Sequence, residues 1–166
     1  MAGDAGLMGF YASYKAVFDA VKTALTYVAA VPPEGEDPGS PEYGVKTIKT
    51  VVLGEQFSAG ALPKAIINAE PSRIGQATMG ELLDVRVGFS VVLVIREYAP
   101  KNWFTDIISV MSDVVDAVLA DRTLTGNVRD VTPTMFSPGE IKFQDVKDKL
   151  FYGGVIHFEA VLHFEP

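Results

Sequence analysis

The sequence predicts an α+β fold, an antiparallel β-sheet with two main α-helices packed on one face, in a single domain of residues 1–166. Two stretches repeat apolar residues with helical spacing, and two others alternate apolar and polar residues as half-buried strands do. The chain has no regular succession of strand and helix that would require a parallel sheet. Hydrophobic residues make up 48% of the chain, enough for one core at this length.

The first helix is predicted from Leu7 until Pro32 and Pro33 end it. Its apolar residues recur every three or four positions and define one buried face. They are Leu7, Phe10, Tyr11, Tyr14, Val17, Phe18, Val21, Leu25 and Val28.

Residues 32–44 are predicted to form a mobile acidic loop that contacts a partner or faces a channel. Four prolines and three glycines leave too little apolar area for the segment to order itself. Its carboxylates are Glu34, Glu36, Asp37 and Glu42. Long loops in compact domains are usually functional or disordered, and a tolerated solvated insertion is the alternative.

Three strands are predicted next, at Thr47–Leu53, Lys64–Ala69 and Asp84–Glu97. The third is the clearest, because every second residue from Val85 to Ile95 is apolar. Its other face turns from polar to apolar at Val92 and Val94. Those two valines need a cover, which is either a loop of this chain or a neighbouring subunit.

A second helix is predicted from its cap at Asn102 to about Asp121, before turn residues Thr125, Gly126 and Asn127. Asp106, Asp113 and Asp116 form its exposed side. The residues predicted to be buried are Trp103, Phe104, Ile107, Ile108, Met111, Val114, Val115, Val118 and Leu119.

The C-terminal part is predicted to form two or three strands. Val128–Met135 is followed by a turn at Pro138 and Gly139 towards Ile141–Val146. Gly153 and Gly154 are predicted to allow the turn into the last strand, Gly154–Glu165.

One face of the last strand carries His157, Glu159, Val161, His163 and Glu165. At ~3.3 Å per residue the two histidines lie roughly 20 Å apart, too far to share one metal ion. A solvated or interfacial face is therefore the preferred interpretation. Together with Val92 and Val94, the residues His157, Glu159 and Val161 are the predicted subunit or partner interface.

Composition and motifs predict no catalytic, metal or cofactor site. The chain carries 14 basic and 21 acidic residues, a net charge of -7, which argues against a basic nucleic-acid-binding face. It has no cysteine, no glycine-rich phosphate loop and no nucleophile elbow. Asp113 and Asp116 have the spacing of an acid–base pair, but a charged outer helix face explains them equally well.

Several segments in order resemble the tail-terminator or tail-completion proteins of long-tailed phages. They are residues 62–67 (LPKAII), the Val-rich strand 84–97, the helix end and turn in 114–134, and a last strand after Tyr152-Gly153-Gly154. The similarity is one of order and pattern over about Val45 to Phe164. The turn from Asp121 to Gly126 is its most specific part.

The resemblance implies a non-enzymatic virion protein, assembled in the host cytoplasm, that forms a homo-oligomeric, hexameric ring at the tail–neck junction. Such a ring caps the head-proximal end of the tail tube and ends tube polymerisation. Its implied partners are the major tail tube protein and neck connector proteins, while duplex DNA passes non-specifically through its lumen. No cofactor, membrane segment or membrane partner is expected. The alternatives are another neck or head–tail completion protein, a small-ligand or peptide-binding module, and a hydrolase using Asp113 and Asp116.

Overall fold

The computed structural model describes residues 2–27, 44–54, 61–76, 83–96, 103–141 and 150–164. These residues form two helices and six strands. In chain order they are α1 (Ala2–Leu25), β1 (Thr50–Leu53), β2 (Lys64–Ala69), β3 (Arg73–Gln76), β4 (Leu83–Arg96), α2 (Trp103–Leu119), β5 (Asp130–Ile141) and β6 (Phe151–Phe164).

The strands form one sheet in the order β1-β2-β4-β6-β5, and β3 pairs with β4 beyond the end of β2. β1 and β2 are parallel, whereas the other pairs are antiparallel. The predicted α+β fold with helices against a mostly antiparallel sheet is confirmed. The parallel pair and the short strand β3 were not predicted.

The central strands β4 and β6 define the core through alternate residues, as the sequence predicts. Phe89 of β4 and Phe158 of β6 are opposite each other in the register, and their rings stack at 5.1 Å. The same side of the two strands buries a row of aliphatic residues against the helices. That row consists of Val85, Val87, Val91, Leu93, Ile95, Ile156, Ala160 and Leu162. We call this side of the sheet the helix face, and the side that carries Arg86, Val92 and His157 the far face.

Helix α1 packs on the sheet through Val17, Val21 and Leu25, which are fully buried. The predicted boundaries are wrong at both ends. The helix begins at Ala2 and ends at Leu25, where the carbonyl oxygen accepts a hydrogen bond from Val45 as the chain returns. The predicted burial of Tyr11 is also wrong, because this side chain is 67% exposed at the flank of the apolar face.

Helix α2 follows the prediction closely and buries Ile107, Met111, Val114, Ala117 and Val118. Phe104 is the exception, since it is 52% exposed and contacts the edge of Trp103 at 5.7 Å between ring centroids. Asn102, predicted as the cap, lies outside the described residues.

The predicted turn after α2 is confirmed. The carboxylate of Asp121 accepts hydrogen bonds from the backbone N–H groups of Thr123 and Thr125 and from the Thr123 hydroxyl. Leu124, Thr125 and Gly126 all have positive φ, between 47° and 79°. These side-chain-to-backbone bonds hold a left-handed turn that only the glycine adopts without strain.

Strand β5 corrects the predicted turn at Pro138 and Gly139. It runs unbroken from Asp130 to Ile141, and the two residues pair with β6 within the sheet. Proline is tolerated there because β5 is an edge strand among the described strands, so a missing N–H costs no ladder hydrogen bond on the outer side. Only Ile141 of the predicted strand Ile141–Val146 lies within the described residues.

The glycine pair of β6 also has a different role from the predicted one. Strand β6 begins at Phe151, and Gly153 and Gly154 lie within it, paired with β4 and with β5. A Cβ at Gly153 would collide with the Leu93 carbonyl, and one at Gly154 with the side chain of Met111. The glycines therefore permit close packing of β4 and α2 onto β6.

Strand β1 is shorter than predicted, because it starts at Thr50 and not at Thr47. Strand β2 has the predicted bounds, Lys64–Ala69. The predicted acidic loop lies, apart from Gly44, outside the described residues.

Candidate functional site

The five residues of the predicted interface all lie on the far face. Val92 and Val94 belong to β4, and His157, Glu159 and Val161 belong to β6, with side chains on the side opposite the helices. The register spreads them along the two strands, from Val94 opposite Gly153 to Val161 opposite Arg86. The valines lie at one end of the two strands, whereas the histidine and the glutamate lie nearer the other end.

Val94 is not available as an interface residue. It is fully buried in a small far-face cluster with Ile66 and Phe151, against which Leu62 and Val92 pack. The sequence left two possible covers for Val94, a loop of this chain or a neighbouring subunit. In the structure, residues of the chain itself cover it. Val92 is half-buried at the border of this cluster and stays accessible in part.

The polar part of the far face is built from two side-chain pairs, each joining a carboxylate to an imidazole or a guanidinium. Nδ1 of His157 lies 2.5 Å from a carboxylate oxygen of Glu70, which follows β2. A guanidinium nitrogen of Arg86 on β4 lies 3.3 Å from Glu159 on β6. Both pairs are partly exposed, so each contributes at most about 1 kcal/mol to stability. His157 and Glu159, which were predicted as interface residues, are therefore each paired with a side chain of the same chain.

His163 lies on the same face near the C-terminal end of β6, between the carboxylate of Asp84 and the guanidinium of Arg129. Its Nε2 atom is 3.6 Å from Oδ1 of Asp84 and 3.3 Å from Arg129. That carboxylate oxygen of Asp84 is buried and accepts no hydrogen bond from the described residues. Within the described residues no three His, Asp or Glu side chains converge on a point that could hold a metal ion.

A groove between α2 and the edge strand β5 was not predicted. It has a volume of about 450 Å³. Its lining comprises Ser112, Val115, Asp116, Pro133, Thr134, Met135 and Phe136. Met135 and Phe136 are 58% and 42% exposed, although both are large and apolar. A signal was present in the sequence, because prolines within a strand indicate an edge strand, whose apolar residues stay accessible.

Asp113 and Asp116 lie on the exposed side of α2, as predicted, and Asp116 lines the groove. Partial burial and the nearby charge of Asp116 raise the pKa of the Asp113 carboxyl. Asp116 thus contributes a carboxyl group to the lining of the groove, and Asp113 lies next to it on the helix.

Another exposed apolar side chain lies on the other side of the sheet from β5. Ile74 of β3 is 61% exposed. It pairs with Val85, so its side chain projects on the helix face, as that of Phe136 does through its pairing with Ile156. Strand β3 could not be predicted, because a single isoleucine between Arg73 and Gly75 shows no alternation of apolar and polar residues.

No protein-family model matches this chain, and no curated protein is similar to it at a significant level. Neither described helix combines the length and the apolar character needed to cross a bilayer. The fold, the far face and the two exposed apolar edges are thus the observations on which a function can be argued.

Proposed function

We propose that the protein is a virion structural protein, a subunit of a hexameric ring that caps the head-proximal end of a phage tail tube and joins it to the neck. In this role it ends tube polymerisation and performs no catalysis. The order and pattern of segments over about Val45 to Phe164 supply the resemblance to tail-terminator proteins. The more specific part of the proposal is the position of the protein within the neck region, at the end of the tail tube.

The observation that carries the proposal is a pair of different apolar patches on opposite edges of one sheet. Ile74 is exposed on the β3 side, and Met135 and Phe136 are exposed on the β5 side. A closed ring uses heterologous contacts, in which one patch meets a different patch on the next subunit. Two unlike patches on opposite edges fit that requirement, whereas a symmetric dimer needs only one self-complementary patch.

The far face is suited to line a channel for duplex DNA. One of its cations, Arg86, is paired with Glu159, and the whole chain carries a net charge of -7. DNA bears about one charge per 1.7 Å of its axis, and tight binding requires basic side chains that neutralise its phosphates. The net negative charge of the protein repels the phosphates, so DNA passes through the lumen without being held.

The test is a tube-length assay. Purified tail tube protein is polymerised with and without this protein, and tube lengths are measured by electron microscopy. We expect tubes of limited length with protein density at one end. Tubes that keep growing at saturating protein, with no density at their ends, would refute the capping function.

The α2–β5 groove favours a second candidate, a peptide-binding module acting as a monomer. Its volume of about 450 Å³ and its apolar lining are typical of ligand sites. The two candidates differ in solution mass. A ring shows a concentration-dependent rise towards six times 17.9 kDa, whereas the binding module stays at 17.9 kDa.

A further inference from the structure

The α2–β5 groove lies beside a bulge in β5. Pro133 and Met135 are opposite consecutive residues of β6, so Thr134 between them has no partner on that strand. An extra residue of this kind bends a strand and redirects the neighbouring side chains, and such bulges are frequent next to binding and active sites. Thr134 and the residues on either side of it line the groove together with α2. The groove is therefore formed where the edge strand departs from regular pairing.

Most of the groove lining is apolar. Val115 contributes from α2, and Pro133, Met135 and Phe136 contribute from β5. The volume of about 450 Å³ lies in the lower part of the range of ~300–1,000 Å³ that is usual for ligand sites. A groove of this size suits one or two side chains of a partner. Ligand sites combine such a lining with a few polar groups that fix the orientation of the ligand.

The polar groups of the lining are the carboxylate of Asp116 and the hydroxyl groups of Ser112 and Thr134. None of these three side chains makes a hydrogen bond or an ion pair within the described part of the chain. The carboxylate is an acceptor with a negative charge, and each hydroxyl oxygen can also accept. None of the described lining residues is basic. The groove thus offers acceptors and one negative charge to a ligand that donates hydrogen bonds.

Asp113 adds a second carboxylate next to the groove. It precedes Asp116 by three residues on α2, and partial burial together with the Asp116 charge raises the pKa of its carboxyl. Neither carboxylate is paired with a basic side chain among the described residues. Asp106 on the same helix, in contrast, lies 3.4 Å from Arg96. A cation bound in the groove would therefore be attracted by two carboxylates that the described chain leaves without a basic partner.

Arginine is the side chain whose chemistry fits this lining. Its planar guanidinium is always charged, carries five N–H donors and can donate two parallel hydrogen bonds to one carboxylate. The same plane stacks on aromatic rings, and Phe136 provides a ring in the groove. The methylene groups of an arginine pack on apolar surfaces such as those of Val115 and Pro133. Lysine has a comparable stem, but its ammonium group is a point charge without this planar geometry.

We propose that the α2–β5 groove binds an arginine side chain of a partner polypeptide, with the guanidinium at Asp116 and its plane against Phe136. The inference rests on the second candidate function and deepens it, because it names the chemistry of the peptide; it does not depend on tail capping. The occupant is a short segment of another protein with apolar residues beside the arginine. Pro133 and Pro138 have no N–H groups, so side chains hold the segment and no regular strand is added to β5.

The experiment titrates ¹⁵N-labelled protein with short peptides and follows the backbone amide signals by NMR. The probe is the acetylated and amidated pentapeptide Gly-Leu-Arg-Leu-Gly, from about 10 μM to 5 mM, a range that covers weak and moderate affinity. We expect saturating shifts at the amide signals of Val115, Asp116 and Phe136. The same peptide with citrulline, which keeps the shape of arginine without its charge, should bind at least about tenfold more weakly. The lysine peptide should lie between the two.

Matched variants test the two contacts of the arginine. Asp116→Asn and Phe136→Ala should each weaken binding of the arginine peptide on the order of tenfold, as loss of a central contact does. Asp113→Asn removes the same charge beside the groove, and Phe104→Ala removes a similarly exposed ring of α2 that does not line it. These two controls should change the dissociation constant by about threefold or less. Circular dichroism of each variant checks that the fold is kept.

The possible results separate this proposal from the functions above. Shifts that do not saturate, or that Asp116→Asn leaves unchanged, overturn it. Equal binding of the citrulline peptide keeps the groove as a peptide site but overturns the recognition of arginine. Groove signals that shift with protein concentration in the absence of peptide would identify a second copy as the occupant, which also overturns the proposal. Tail capping is measured by tube length alone, so its failure is independent of all these results.

Discussion

Replacing Gly153 by alanine tests how closely β4 and β6 approach each other. A Cβ at this position would lie 2.8 Å from the carbonyl carbon of Leu93 and 3.1 Å from Cδ1 of Ile141, and even closer to the Leu93 carbonyl oxygen. The obstacle is backbone in a central strand, which cannot rotate away. At Gly154 the obstacle is mainly the Met111 side chain, which is flexible.

The expected loss in the free energy of unfolding follows from this difference. Overpacking a well-packed core costs about 1–3 kcal/mol and sometimes more. We expect Gly153→Ala to reach or exceed about 3 kcal/mol and Gly154→Ala to lie near about 1 kcal/mol, within this range. For a domain of this size, 1 kcal/mol corresponds to about 2–4 °C in Tm, so the first variant should melt about 6–12 °C lower.

The assay is urea unfolding followed by circular dichroism, at a protein concentration where light scattering shows a monomer. Gly75→Ala serves as the control, because its Cβ would meet nothing within 4 Å. Alanine there should be neutral or should stabilise by about 0.4–1 kcal/mol through the unfolded state. Equal stability of Gly153→Ala and Gly75→Ala would refute the close-packing argument.

Three further substitutions have expected effects on stability. Val94→Lys should lower the free energy of unfolding by about 3–5 kcal/mol in urea titrations, because it buries a charge, whereas Val92→Lys at the half-exposed border should cost clearly less; equal losses would contradict the burial of Val94. Asp121→Asn should cost about 1 kcal/mol at pH 7. Hydrogen bonds, above all from Thr123, lower the pKa of Asp121. The stabilisation by Asp121 is therefore present above the unfolded pKa of about 4 and is lost as the pH falls through the folded pKa. A stability difference from wild type that persists below both pKa values would contradict this explanation. Asp113→Asn should stabilise slightly at pH 7, because burial raises the pKa of that carboxyl. The gain should shrink as the pH falls through the folded pKa and vanish below the unfolded value of about 4, which thermal melts at several pH values can show.

Burial could be predicted from the sequence where buried and exposed residues alternate with the period of the helix or strand that contains them. The alternation of β4 from Val85 to Ile95 predicted its buried side correctly, and the spacing in α2 identified Ile107 and Met111 as core residues. The same logic placed His157 and Glu159 on one face of β6. In these cases a helix or strand fixes its own geometry, so the period of apolar residues reveals which side is buried.

Other features depend on which distant segments meet. The sequence predicts that Val94 needs a cover, but only the packing of Ile66 and Phe151 around it shows that the cover is the chain itself. From the sequence alone, Gly153 is consistent with a turn. Only the position of β4 beside it shows that a glycine is needed within the strand. Ile74 and Phe136 become candidate contacts only when the strand order places them on opposite edges of the sheet. Pairing between distant strands decides these points, because the period of one strand contains no information about its neighbour.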